Sequence, residues 1–340
     1  MAALARVGKS TASLALRDDP ALPPATRLRV QAAAAALGYK ANPILRAEMA
    51  RVRHQGRVMP GASGTLALLE FTSSHHANPQ ACDIPHRLML AGAQARADEL
   101  GFRLERIWAG DPALRSERLT GILRARGTAG ALLYGDFSKY LINEYELAEW
   151  PCVYLGSQRE PPGFPVAQNN QYRTGWLAGV ALARRSYRRP GLALHAYVER
   201  MTEGRFHHGL EAARRAAGGG YQEEIPTLVW TNDREDDAYK TFSAWFEAWR
   251  PDVVVGTGDR TLRWLERAGV RVPDETGFAS LDTEWAQRPV AGVAQGHARV
   301  GARAAETMAG RIACGDRGAR TDTFSVLVEG HWNEGPTLRS

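Results

Sequence analysis

Residues 10–43 read STASLALRDDPALPPATRLRVQAAAAALGYKANP. In KSTASLAL, residues 9–16, a short helix places Ala12, Leu14 and Ala15 inward, with Lys9, Ser10 and Ser13 facing out as a cation and small donors suited to a groove. Arg6, Val7 and Gly8 make a tight turn before it, and Ala2 to Ala5 read as the end of a preceding helix. RDDP is a loop. Pro23 or Pro24 then opens a longer helix at its first turn, where a missing N–H costs nothing, and Gly38 stops it after Leu37. Val30, Ala33, Ala34 and Leu37 give this helix one apolar face. A further short helix starts with Asn42 as N-cap and Pro43 behind it. At about two turns it is marginal alone and orders against DNA or a partner subunit.

Charge follows the same division. Residues 1–58 hold ten Lys and Arg against Asp18, Asp19 and Glu48, a net of +7, while the other 282 residues carry 33 basic and 34 acidic groups. A cationic head on a near-neutral body fits a protein that docks one part on a polyanion and binds something else with the other. The chain of 340 residues, 44% hydrophobic and 24% charged, has the composition of a globular protein with room for a small module and two further lobes. No run of about 18 apolar residues is present, and the start lacks a secretory leader pattern, so the expectation is a cytoplasmic protein without membrane spans. Cys82, Cys152 and Cys314 are scattered thiols without CxxC spacing, read as reduced.

Residues 10–43 resemble the headpiece of the LacI/GalR transcription regulators, where a recognition helix, a helix ending in LGY and an N-P hinge helix follow in that order. The resemblance implies a helix-turn-helix head over residues 1–41, a hinge helix and linker over 42–63, and double-stranded operator DNA as partner. The DNA-contacting residues it implies are Lys9, Ser10, Thr11, Ser13 and Asn42. Two departures stand out. The first helix is cut to a stub: either an upstream in-frame start completes it, or the head is defective. Where the family commonly places a minor-groove Leu this chain has Glu48, leaving Met49 beside it as the wedge.

From Gly64 onward, apolar runs alternate with amphipathic stretches: GTLALLEF, PHRLMLAGAQARADELG, RLERIWAG, ALRSERLTGILRAR, TAGALLYG, PCVYLG, RTGWLAGVALARR, GLALHAYV, GRFHHGLEAARRAAGGG, EEIPTLVW, DDAYKTFSAWFEAW, PDVVVG, DRTLRWLERAG and TGFASLD. This rhythm predicts parallel sheets with crossover helices, hence an α/β body of two doubly wound lobes over residues 64–340. The same order, with RPDVVVGTGD and the closing EGHW, resembles the type I periplasmic-binding-protein-like effector domain of LacI/GalR proteins. The resemblance implies a homodimer regulated by a small-molecule effector, a carbohydrate foremost, and no catalysis. A two-lobed sugar-binding protein without a DNA role is the alternative.

Other patterns carry less. VGKST resembles a P-loop tail, but the first glycine position falls at Ala3 and no strand precedes it. GTGDRT, residues 256–261, follows a strand as a dinucleotide loop would, yet its third glycine is Thr261, so a tight βα turn is expected and no cofactor. His75, His76, Cys82, Asp83 and His86 crowd one segment without the spacing of a known zinc site, so they read as a polar loop near the cleft mouth rather than a metal centre. The His207 and His208 pair reads as surface.

Ligands of such sheets bind at carboxyl strand ends. Asp282 sits at one, where it can accept two sugar hydroxyls; a helix cap or a solvated loop acid fits the residue equally well, and the resemblance tips it toward ligand. The resemblance also implies Arg205, four residues before Gly209 where the family's Arg stands three before. Trp230 can stack a sugar face, although most of nine Trp fill core. Asp259, Phe71 and Thr72 complete the set.

Overall fold

A computed structural model describes residues 2–16, 22–37, 64–72, 83–111, 114, 116–135, 147–156, 163–217, 225–232, 234–318 and 323–340. The chain forms two compact units, Met1–Pro60 and Gly61–Ser340.

In the first unit, a turn over residues 2–6 leads to α1 (Lys9–Ala15), and α2 (Pro24–Ala36) follows. Arg6 takes the left-handed conformation (φ 50°) that closes the turn, with its N–H donating to Ala3 O at 3.1 Å. Pro24 occupies the first helical position, as expected from its lack of an N–H. Ala5, Ala12, Ala15, Val30 and Ala33 form the core, small residues that let two short helices approach closely. Arg29 Nε fastens α2 to the turn by donating to Ala5 O at 3.0 Å. Leu37 departs from its predicted place on the apolar face: it is 56% exposed, because no described residue covers the last turn of α2. Leu14 is half-buried. Gly38, Asn42, Glu48, Met49 and the rest of the predicted hinge lie outside the described residues.

The second unit holds two six-stranded sheets. The N-terminal lobe contains β1 (Gly64–Phe71), β2 (Phe102–Trp108), β3 (Thr128–Gly135), β4 (Cys152–Leu155), β5 (Val166–Asn169) and β11 (Ser325–Val328), all parallel, in the order β11-β5-β4-β3-β1-β2. The C-terminal lobe contains β6 (Pro190–His195), β7 (Leu228–Trp230), β8 (Val253–Gly256), β9 (Gly277–Ser280), β10 (Gly292–Ala294) and β12 (His331–Asn333), in the order β12-β10-β9-β8-β6-β7, with only β12 antiparallel to its neighbour. Along β1, Ala67, Leu69 and Phe71 enter one hydrophobic core while Leu66 and Leu68 enter another. Both faces are therefore covered, which is why the strands read as unbroken apolar runs. One predicted run is split. GLALHAYV ends as a strand at His195, whose Nδ1 accepts from Tyr197 N at 3.1 Å and so caps α6 (Ala196–Thr202).

The chain passes between lobes three times: from β5 into α5 (Gln171–Arg184), from β10 into α10 (His297–Cys314), and from β11 to β12. Each crossing helix packs on the sheet of the lobe it enters: Val300, Ala304 and Met308 of α10 join the core beneath β1 and β3, while Ala178 and Leu182 of α5 join that beneath β6 and β8. Paired glycines permit this. Between α10 and α3 (Ile84–Glu99), a Cβ on Gly301 would come closer than 3.0 Å to Met89 O, and one on Gly92 would do the same to Ala298 O. Between α5 and α7 (Arg205–Ala216), Gly175 meets Phe206 O and Gly209 meets Tyr172 O with the same intolerance. The two lobes thus use one packing device twice.

Candidate ligand-binding cleft

Because β5 and β10 each continue into a helix of the opposite lobe, the carboxyl ends of both sheets face the boundary between lobes. On the C-terminal side this edge consists of His195, Trp230, the 257–259 turn and Asp282. A pocket of about 240 Å³ opens there, walled by Tyr197, Trp230 and Trp285, with His195, Asp259, Arg260, Arg263 and Gln287 as polar and charged lining. Trp230 is only 4% exposed and meets Trp264 edge-on at 5.0 Å between ring centroids. Its Nε1–H is buried and finds no acceptor among the described residues. A donor in that state is costly unless something binds it.

The charges around this pocket are internally matched. Asp259 accepts from Arg263 Nη1 at 2.5 Å and from Gln287 N at 3.3 Å. Arg260, on α9 (Arg260–Arg267), donates Nε and Nη2 to Glu235 Oε2 at 3.0 and 2.8 Å. Glu235, on α8 (Glu235–Trp249), also accepts from Trp264 Nε1. Burial pushes its carboxyl up, but the Trp264 and Arg260 bonds outweigh this and hold it below the usual range. The turn itself is tight, as expected of GTGDRT: Gly258 has φ 62°, and Thr261 packs against Gly256 where a third glycine would leave room.

Of the residues read from sequence, Trp230 and Asp259 come together in this pocket and the others do not. Arg205, at the start of α7, donates Nη1 to Gln168 Oε1 of β5 at 2.9 Å and pairs with Glu203, so it spans the lobes. Phe71 is buried in the core above β1, and the Thr72 carbonyl accepts from Trp108 Nε1 at 2.9 Å. Asp282 is 3% exposed and its Oδ2 lies 2.7 Å from His297 Nε2, while Oδ1 is buried without a partner among the described residues. Glu284 Oε2 accepts from Gly296 N at 2.5 Å and His297 N at 3.3 Å. Asp282, Glu284 and His297 place one ligand atom each within 4.8 Å of one another, and His297 Nε2 and Glu284 Oε2 are engaged within the cluster as hydrogen-bonding groups.

The N-terminal edge carries a second buried carboxylate that sequence reasoning passed over. Glu70, 5% exposed near the end of β1, takes both Arg106 Nε (2.9 Å) and Nη2 (2.7 Å), with His86 Nε2 at 3.1 Å. Burial raises its carboxyl, and His86 and Arg106 more than reverse this. The signal was an acid inside the apolar run GTLALLEF. His86 stacks on Tyr134 at 3.8 Å, and Asp83 Oδ1 caps α3 by accepting His86 N at 2.8 Å. His86 is thus interior, not part of the polar loop predicted for it; His75, His76 and Cys82 lie outside the described residues. His207 is likewise half-buried, with Nδ1 2.9 Å from Thr227 Oγ1, whereas His208 is exposed as expected.

In the head, Ser10 is exposed and Thr11 half-buried on α1; the side chains of Lys9 and Ser13 fall outside the described residues. Among the described residues no helix is long and apolar enough to cross a membrane.

Residues 1–42 match the family model described as bacterial regulatory proteins, lacI family, and residues 181–335 match that of a periplasmic binding protein-like domain. Together these span more than half of the chain. No curated protein matches it by sequence. Similar solved structures include the transcriptional regulator CelR in complex with cellobiose, at 21% identity and TM-score 0.58 over 99% of this chain and 98% of that one. A LacI family transcriptional regulator from Enterococcus faecium with bound ribose is similar at 14% identity and TM-score 0.58, over 81% of this chain and 98% of that one. The transcription regulator CcpA of Lactococcus lactis gives 11% identity and TM-score 0.60, over 82% and 100%.

Proposed function

Because the chain belongs to the LacI/GalR family of transcriptional regulators, whose members sense ligands rather than catalyse, we propose that its two-lobed body binds a neutral carbohydrate and so controls operator binding by its head. The observation that carries the ligand reading is the buried, acceptor-less Trp230 Nε1–H in an aromatic-walled pocket at the strand ends. Three aromatic rings suit the apolar face of a sugar, and the N–H suits one of its oxygens. Neutrality follows from charge pairing: Arg260, Arg263 and Asp259 already have partners of opposite sign, leaving no described charge for a phosphate or carboxylate. Solved relatives were captured with cellobiose and ribose. Asp282 and Arg205 stand on the C-terminal side of this boundary with the pocket, and Phe71 and Thr72 on the N-terminal side.

We assign residues 1–41 to the DNA-binding head, 42–63 to the hinge and 64–340 to the effector domain. Lys9, Ser10, Thr11 and Ser13 face the major groove, and Asn42 and Met49 serve the hinge. A cytoplasmic homodimer reading a pseudo-palindrome is the assembly this arrangement needs.

Thermal-shift screening of a neutral sugar panel including cellobiose and D-ribose tests the ligand reading, since a ligand of the folded state raises stability with concentration. Trp230→Phe keeps an aromatic ring but deletes the N–H; it is expected to weaken binding of the active sugar by ~1–3 kcal/mol, beyond a modest fall in the unliganded melting temperature from the volume lost at this buried position. Unchanged affinity moves the ligand elsewhere. For the head, mobility shifts on a selected operator are expected to show log affinity falling with log salt with a slope of several units, as about one counterion leaves per phosphate contact. Salt-independent binding, or none, removes the DNA assignment.

A further inference from the structure

His297 is the first residue of α10, the helix that enters the N-terminal lobe, while Asp282 follows β9 of the C-terminal lobe. Their 2.7 Å contact is therefore a bond across the boundary between lobes, and it is buried, with the His297 side chain 5% and the Asp282 side chain 4% exposed. Glu284 reinforces it from the C-terminal side by accepting the Gly296 and His297 backbone N–H groups, which fixes the first turn of α10 and hence the ring. From the N-terminal side the charge of Asp83, the cap of α3, also acts on His297.

We propose that protonated His297 clasps the two lobes, so that opening of the cleft is linked to release of one proton. The cluster's composition argues for this. Three carboxylates act on one imidazole, while on the packed elements His86 of α3 is engaged with Glu70 and Arg299 of α10 donates Nη2 to Glu329 O. With the proton, the imidazolium balances Asp282 in a buried site; without it, a buried carboxylate keeps one neutral donor and one orphan oxygen, Oδ1, among the described residues. Burial pushes the imidazole's pKa down, but Asp282 and then Glu284 and Asp83 more than reverse this and raise it above 6.5. A group whose folded value is raised stabilises fully below its unfolded value and ceases to do so as pH climbs through the folded one. The closed form therefore loses this support as pH climbs above 6.5 and through the raised value.

The test uses the full chain. X-ray scattering between about pH 6 and pH 9 is expected to show the radius of gyration growing with pH in the wild type. In His297→Gln, which retains a donor but cannot titrate, it is expected to stay constant. Equal pH dependence in both overturns the proposal. Should His297→Gln not fold, the imidazole resonances decide: one titrating above 6.5 must move to lower pH in Asp83→Asn, and no such resonance overturns the clasp. ZnCl2 or MnCl2 at alkaline pH is expected to leave the melting temperature unchanged. A rise in the wild type that His297→Gln or Glu284→Gln abolishes makes the cluster a metal site and overturns the proton link.

Discussion

Gly301→Val is expected to unfold the N-terminal lobe or destabilise it by more than ~3 kcal/mol, beyond the usual range for overpacking, because the clash is with backbone rather than a yielding side chain. The added Cβ would strike the Met89 carbonyl and the Ala93 amide across the α3–α10 contact. Neither can retreat without moving a helix whose residues Met89, Leu90 and Ala93 form the core under β1. Gly310→Ala on the same α10 is the control. Nothing lies within 4 Å of its added Cβ, and replacing an exposed helical glycine is expected to stabilise by about 0.5–1 kcal/mol. Urea denaturation of both variants checks the pair. Similar midpoints would show that α10 is not seated as described.

Arg106→Met is expected to cost ~3–5 kcal/mol, because it removes a bidentate partner and leaves Glu70 buried with only His86 beside it. Its pH signature separates it from simple loss of packing. In the wild type the Glu70 carboxyl lies below its ordinary value of 4.5, so its contribution is present above that value and fades as pH falls through the folded value. In Arg106→Met this acid-side loss of stability is expected to start at higher pH. Glu70→Gln in the same background is expected to recover part of the stability by removing the buried charge. Denaturation curves at several acidic pH values measure both effects, and a cost below about 1 kcal/mol would mean that Glu70 is solvated.

The body was largely legible because its strands are apolar on both faces and its helices are amphipathic, so GTLALLEF and TAGALLYG coincide with β1 and β3 to the residue. The split of GLALHAYV was not, since a histidine acting as helix cap looks like any polar strand residue until its Nδ1 is seen on Tyr197 N. The site was legible only in part. Carboxyl strand ends can be counted from sequence, which placed Trp230 and Asp259 in the pocket. Which strand-end carboxylate stays available depends on partners far away in sequence, such as His297 for Asp282 and Arg106 for Glu70, and no local spacing reveals them.

The order in which the chain is made does not match the order in which its lobes can be finished. The strands β1 to β5 emerge first, but the core on one of their faces needs Val300, Ala304 and Met308, and their outer edge needs β11 at residues 325–328. Through the synthesis of roughly half the protein, that face is covered by α3 alone and the edge beside β5 presents unpaired backbone groups. Segments in that condition are where nascent chains associate wrongly, so the lobe translated first depends on the last fraction of the message for its solubility. A chain ending before residue 297 would thus be expected to aggregate as a whole, rather than leave behind one intact lobe.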